Sequence, residues 1–310
     1  MSETNQRKAY GRTLVEMGKA DPRIVVLDAD LSGSTMGKLF EEAIPERHFE
    51  FSIAEANMIS AAAGLAQAGK IPFAGSFAVF AAGRAFDQIR QTICIGKLNA
   101  KICGSSAGLS DFGDGATHQS VEDLAIMRAI PNMTVLCPAD ANEMASAVRA
   151  AAAWDGPCYI RANRNDYPNT TAPDAAFQIG MPTVLREGTD VTVFAMGYML
   201  NLALEAAEQL AGRISVRVVN VSTLKPLNAE MIRALSADVK GVVTVEEHSV
   251  IGGLGSAVAE ALCRSRVPME MVGVNDSFGC SAHSYQELLE HYGLTAEHIV
   301  QAIESIADAK

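Results

Sequence analysis

Ala54-Glu55-Ala56-Asn57-Met58-Ile59-Ser60-Ala61-Ala62-Ala63-Gly64-Leu65-Ala66-Gln67-Ala68, followed after Gly69-Lys70 by Ile71-Pro72-Phe73-Ala74, reads as a helix feeding a short strand. Between Ala54 and Ala68 only Glu55, Asn57, Ser60 and Gln67 carry polar side chains. A helix that is apolar nearly all round belongs in an interior. A carboxylate at the mouth of such a helix is unfavourable unless something binds it. Glu55 has two readings. Ser52 and Glu55 have the S-x-x-E spacing of a capping box, in which each side chain closes a free backbone N–H. Alternatively, Glu55 is a buried acid that hydrogen-bonds a ligand nitrogen. The helix dipole favours its ionised form and burial its neutral form, so it can share a proton with a basic partner.

Outward from this stretch, short β-rich runs alternate with helical patterns. Strands are expected at Ile24–Leu27, Ala100–Cys103, Thr134–Cys137 and Cys158–Arg161. Helices are expected near 7–20, Val79–Leu98, Ser120–Ala129 and Asn142–Trp154. The pattern pauses at Tyr167-Pro-Asn-Thr-Thr-Ala-Pro-Asp174. It resumes with strands at Val191–Ala195, Ser215–Val219, Gly241–Val245 and Glu270–Val274. Helices near Asn201–Leu210, Ala229–Leu235, Gly255–Ser265 and Ala296–Ser305 separate them. Such alternation predicts an α/β fold of two doubly wound domains. Ligands of open α/β sheets sit at the carboxyl ends of strands. The loops Asp28–Gly37, Gly75–Phe80, Gly104–Gln119 and Ala162–Tyr167 are therefore the informative ones.

The 310 residues, 49% of them hydrophobic, suffice for two domains of about 150 residues each. A net charge of -11 argues against nucleic acid as the main partner, because phosphate backbones require an excess of Lys and Arg. The six cysteines form no CxxC pair and read as buried thiols of a reducing, cytoplasmic compartment. No signal peptide is legible in the polar N-terminus. No apolar run approaches the roughly 20 residues of a membrane span.

Several loop residues could carry chemistry. Asp111-Phe-Gly-Asp-Gly-Ala-Thr-His-Gln119 gathers Asp111, Asp114 and His118 in a Gly-rich loop. A plain turn is one reading and a site the other. Gly113-Asp114-Gly115 mimics part of a diphosphate-magnesium motif but lacks its Asn-rich end. It reads as a chance match. Phe77 and Phe80 are ordinary core or a stacking surface for a flat ring. Arg161 and Arg164 end a strand, where Arg suits a phosphate or carboxylate. Gly252-Gly-Leu-Gly255 reads as a helix-entry turn. Glu246, Glu247 and His248 receive no site, since adjacent residues rarely face one centre.

Taken together, the chain resembles the C-terminal half of transketolase. The resemblance is carried in order by Asp28–Ser34, Phe51–Met58, Gly75–Phe80, Asp114–Gln119, Pro131–Met133 and Gly156-Pro157 with Arg164. It implies a parallel-sheet thiamine pyrimidine-binding domain at 1–172, a linker at 173–188 and a smaller mixed-sheet transketolase C-terminal domain at 189–310. It implies thiamine diphosphate as cofactor and transfer of a two-carbon ketol unit from a (phospho)ketose to an aldose, as in pentose phosphate metabolism. By position, Glu55 matches the acid that binds N1′ of the aminopyrimidine. Phe77 and Phe80 match aromatics against that ring, and Asp30 and Leu31 the loop beside the cofactor. His118 matches a catalytic His near the reacting oxygens, and Asp114 an acid that reads substrate hydroxyls. Arg7, Ser34 and Arg164 match groups that bind the sugar phosphate.

Two departures qualify the match. Gly104–Gly108 stands where the family has a further substrate-side His, and one residue is inserted within Leu109–Asp114. The diphosphate-binding domain is missing as well, so the chain carries no ligands for magnesium and the diphosphate. The resemblance then implies a partner subunit that supplies that domain and its Mg2+, in an α2β2 assembly. Competing readings are a deoxyxylulose-phosphate synthase-like chain, the β subunit of a 2-oxoacid dehydrogenase and a non-catalytic regulatory subunit.

Overall fold

The computed structural model describes residues 3–308. The outer ends of the two expected domains, at residues 1 and 310, lie outside that range. In the first half the strands are β1 (Ile24–Asp28), β2 (His48–Glu50), β3 (Ile71–Phe77), β4 (Lys101–Ser105), β5 (Thr134–Leu136) and β6 (Cys158–Arg161). The helices are α1 (Gln6–Ala20), α2 (Ser32–Thr35), α3 (Lys38–Ala43), α4 (Glu55–Gln67), α5 (Phe86–Gln88), α6 (Asp123–Ala129) and α7 (Ala141–Ala153). The second half holds β7 (Thr183–Arg186), β8 (Val191–Ala195), β9 (Val216–Asn220), β10 (Thr223–Lys225), β11 (Gly241–Ser249) and β12 (Met269–Val274). Its helices are α8 (Met199–Gln209), α9 (Ala229–Ser236), α10 (Leu254–Ala261), α11 (Tyr285–His291) and α12 (Ala296–Asp308).

Two parallel-dominated sheets result. The first has seven strands in the order β10-β5-β6-β4-β3-β1-β2, and the second has five in the order β12-β11-β8-β9-β7. Strands β1, β3, β4 and β6 are buried on both faces, as parallel strands covered by helices must be. The order reverses at β1, which pairs with β2 on one side and β3 on the other. A crevice for ligands opens at such a switch point, beyond the carboxyl ends of the strands.

The halves are less separate than the sequence suggests. β10 leaves the second half to pair antiparallel with β5 of the first sheet. β7, inside the stretch expected as linker at 173–188, pairs antiparallel with β9 and belongs to the second sheet. Its four residues are too short and too partly buried to stand out by alternation. The segment before it is pinned, because the Asp140 carboxylate accepts from Thr170 N and Thr171 N at 2.7 Å each. One apolar core runs from Met58 and Ile59 of α4 through Leu124 and Met127 of α6 to Val219, Leu254 and Val258 of the second half.

Two further expectations change. α4 buries Glu55, Met58, Ile59, Ala62 and Ala63, while Ser60, Gly64 and Gln67 are exposed. It is buried along one face and not all round, because the first sheet covers only that face. The helix expected over 79–98 is instead two wide i→i+5 turns, Val79–Arg84 and Ile89–Cys94, flanking α5. Cys94, Cys103, Cys137 and Cys158 are buried thiols, whereas Cys263 and Cys280 are exposed. Among the described residues no helix is long and apolar enough to cross a membrane.

Candidate active site

Glu55 is the first residue of α4, with Ala54 at the cap position and no side-chain cap. The capping box is therefore not formed. Ser52 adopts a left-handed φ of 50° and its N–H donates to Glu50 Oε1 at 2.8 Å. The helix starts two residues later than a box requires, which leaves the Glu55 carboxylate free to pair with Arg84. That carboxylate is 3% exposed and accepts from Arg84 Nη1 at 2.9 Å. The Arg84 guanidinium also lies 4.0 Å above the Phe80 ring.

Phe77 closes β3, and Phe80 sits in the wide turn that follows. Their rings stack, with centroids 6.0 Å apart and planes 17° apart. His118 meets both edge-on, at 6.2 Å from Phe77 and 5.3 Å from Phe80. Arg164, in the loop after β6, lies 5.9 Å from the Phe77 ring. Wide helical turns of this kind recur at functional sites. Here the turn carries Phe80 and Arg84 to one wall of the crevice.

On the polar side, Arg164 pairs with the buried carboxylate of Asp111. Arg7 donates to Ser34 O at 2.8 Å and to Arg164 O at 2.9 Å. It thereby joins the loops after β1 and β6. Arg7 is held below its ordinary pKa first by burial and then by the nearby Arg164 charge, with Asp166 and Asp111 pulling it back. Arg side chains suit the binding of an anion, and the Arg164 charge is already met by Asp111. Asn5 caps α1 through Arg7 N and Lys8 N. Its amide donates to Asp166 Oδ1 at 2.8 Å, which fixes where α1 begins.

The fold thus gathers Glu55, Phe77, Phe80, His118, Arg7, Ser34 and Arg164 through a continuous set of contacts. Asp30 and Leu31 stand at the mouth of β1. Asp30 has a φ of 61°, and Glu50 Oε1 ties its N–H, at 2.7 Å, to the Ser52 segment. Asp114 is exposed on its loop and caps nothing with its side chain. Asp111, three residues earlier, is the acid that meets Arg164. Sequence reasoning missed two partners, Arg84 and Asp111 in this pairing. Asp111 stood in the same Gly-rich loop as Asp114, and which of the two acids meets Arg164 is set by the folded loop. Arg84 gave no signal, because a regular helix over 79–98 conceals the wide turn.

A flat, nitrogen-bearing ring fits these residues. The Arg84 guanidinium is planar, donates to Glu55 and covers Phe80, so it stands where such a ring would find a carboxylate and an aromatic face. Among the described residues no three His, Cys, Asp or Glu side chains converge to hold a metal ion. The Gly113-Asp114-Gly115 loop packs instead against the second half, where a Cβ on Gly115 would meet Ser281 Oγ at 2.4 Å.

Known proteins were compared with this geometry. Residues 2–170 match the family model of the transketolase pyrimidine binding domain, and residues 180–299 that of the transketolase C-terminal domain. A 6-deoxy-6-sulfo-D-fructose transketolase subunit of Clostridium sp. (strain MSTE9) is 44% identical over 306 residues, covering 98% of this chain and 95% of that protein. Mouse transketolase is 38% identical over 97% of this chain, which spans 48% of that longer protein. A solved structure described as a split gene transketolase in an inactive beta4 tetramer superposes with a TM-score of 0.89. It is 50% identical and covers 99% of both chains. With matches over both halves, the chain belongs to the transketolase family and carries that family's pyrimidine-binding and C-terminal domains.

Proposed function

We propose that this chain is the C-terminal subunit of a two-chain, thiamine diphosphate-dependent transketolase. In this reading it transfers a two-carbon ketol unit from a ketose to an aldose acceptor. The observation that carries the reading is the planar Arg84 guanidinium bridging the buried Glu55 carboxylate and the Phe80 face. A carboxylate and an aromatic surface so placed suit an aminopyrimidine.

Phe77 and Phe80 would line the ring, Glu55 would meet its N1′, and Asp30 and Leu31 would flank it. When bound, the cofactor supplies an electron sink for the two-carbon fragment. The chain's own residues do the rest. Glu55 holds and returns a proton at N1′. His118, edge-on to both aromatic rings, moves a proton at the substrate oxygen. Asp114 and Asp111 read hydroxyl groups. Arg7, Ser34 and Arg164 hold the anionic end of the sugar. The sulfo-sugar named for the Clostridium relative supports a ketose with a terminal anion, phosphate or sulfonate, as the substrate class.

In this reading a partner subunit holds the diphosphate and Mg2+, and the 50% identical structure described as a split gene transketolase supports it. The test is Glu55→Gln in the complex of this chain with its diphosphate-binding partner. Ketose cleavage is expected to fall by about 100-fold or more, the scale of a lost proton-transfer group, with assembly by size-exclusion chromatography unchanged. A loss below tenfold contradicts the reading. A panel of 2-oxoacids beside the ketoses tests the dehydrogenase alternative in the same assay.

A further inference from the structure

We propose that Glu247, contributed by the C-terminal half, is a positioning residue that sets the spacing of the two substrate-facing loops, 108–111 and 163–165. The claim rests on the reading above that Asp111 and Arg164 face substrate. Glu247 lies near the end of β11 and is fully enclosed. A buried carboxylate needs several donors to offset its lost hydration. Glu247 has three. Leu109 N donates to Oε1 at 2.7 Å. Asn163 Nδ2 at 3.1 Å and Tyr285 Oη at 2.7 Å donate to Oε2. Its carbonyl also accepts from Arg161 Nη2 at 3.0 Å.

The donors come from three separate segments, the loops of Leu109 and Asn163 and the start of α11 at Tyr285. Leu109 opens the segment that carries Asp111, and Asn163 stands beside Arg164. The two loops are joined again above the carboxylate, by Asn165 Nδ2 to Ser110 O at 3.1 Å and by the Arg164–Asp111 pair. Glu247 is the lower tie of this arrangement and the charged side chain is its anchor. The chain is shaped to admit it. A Cβ on Gly108, whose φ is +65°, would lie 2.4 Å from Glu247 Oε1. The residue touches neither Asp111 nor Arg164 directly, so its effect passes through the backbone of both loops.

Glu247→Gln keeps an acceptor for Leu109 but turns an NH2 toward Asn163 Nδ2, which opens the lower tie on one side. Tyr285→Phe removes one donor and leaves the carboxylate, and serves as the milder variant. Two readouts are needed. In the isolated chain, hydrogen exchange at Asn163 and Asn165 is expected to rise at least fivefold in Glu247→Gln and between about 1.5-fold and threefold in Tyr285→Phe. In the complex with the diphosphate-binding partner, the ketose KM is expected to rise about tenfold. There kcat and thiamine diphosphate affinity should stay within threefold.

Unchanged exchange in the folded Glu247→Gln chain overturns the inference. So does an unchanged KM in an active complex, or a fall in kcat at constant KM. If the wild-type complex shows no ketose cleavage, the functional reading fails by itself. The exchange result still decides whether Glu247 ties the loops. Should Glu247→Gln fail to fold, Tyr285→Phe exchanging at the wild-type rate at both sites overturns the proposal.

Discussion

Arg84 shows how one side chain can hold a site in readiness. Its guanidinium donates to Glu55 and covers Phe80, yet its side chain is half exposed. A cation–π contact of a half-exposed Arg contributes only about 0.5–1 kcal/mol, so a better-fitting ring can displace it. Arg84→Ala is expected to tighten thiamine diphosphate binding by the assembled complex about fivefold, the equivalent of about 1 kcal/mol. Fluorescence or circular dichroism titration measures this. Weaker or unaltered binding would mean that Arg84 contacts the cofactor and does not stand in its place. At this scale the sequence was half legible. Glu55, Phe77, Phe80 and His118, which the structure joins through Arg84 and ring contacts, could be picked out from an acid opening an apolar helix, aromatics at a strand end and a polar Gly-rich loop. Asp111 and Arg84 could not be assigned. Which of two nearby acids faces the crevice depends on loop geometry, and Arg84 depends on a wide turn that periodicity does not encode.

The elements follow the sequence where burial imposes a period. β1, β3, β4 and β6 are continuous apolar runs and emerge within a few residues of expectation. β7 and β10 escape notice because each is short and is specified by antiparallel pairing to a distant strand. The turn from β11 to α10 is a further element whose chemistry lies in packing. The Glu246 carboxylate accepts from Leu254 N and Gly255 N at 2.7 Å each, which caps α10. His248 bonds Ser249 O through Nδ1 at 2.7 Å and faces Ala125 N through Nε2 at 3.3 Å, contacts that suit a neutral ring protonated on Nδ1. Burial pushes His248 down from 6.5 to about 4 and Glu246 up from 4.5 to about 7.

The two shifts act with opposite sign on stability. Between pH 6.5 and 4 the unfolded chain binds a proton at His248 that the native chain does not, so acidification destabilises the fold. The slope is at most about 1.4 kcal/mol per pH unit. Between pH 7 and 4.5 the native chain holds a proton on Glu246 that the unfolded chain lacks, so acidification stabilises the fold. His248→Gln removes the first effect and leaves the second. Urea unfolding should show the variant gaining on the wild type as pH falls from 6.5 to 4.5. A stability gap that stays constant with pH contradicts this assignment.

At the scale of the whole molecule, the chain is proposed to offer one end of a binding site. A buried acid, a stacked aromatic pair and two guanidinium groups line a crevice at the switch point of the first sheet. The second half braces the loops of that crevice through Glu247 and through Gln119 Nε2, which donates to Cys280 O at 3.0 Å. That bracing was invisible in the sequence, since nothing local says that residues more than a hundred positions apart share one carboxylate. The proposal that the chain is half of a split transketolase is tested most directly by ketose cleavage by the purified chain with thiamine diphosphate and Mg2+, with and without the diphosphate-binding partner. Negligible turnover by the chain alone and robust turnover when the partner is added are expected. Robust turnover by the chain alone, or none by the assembled pair, would contradict it.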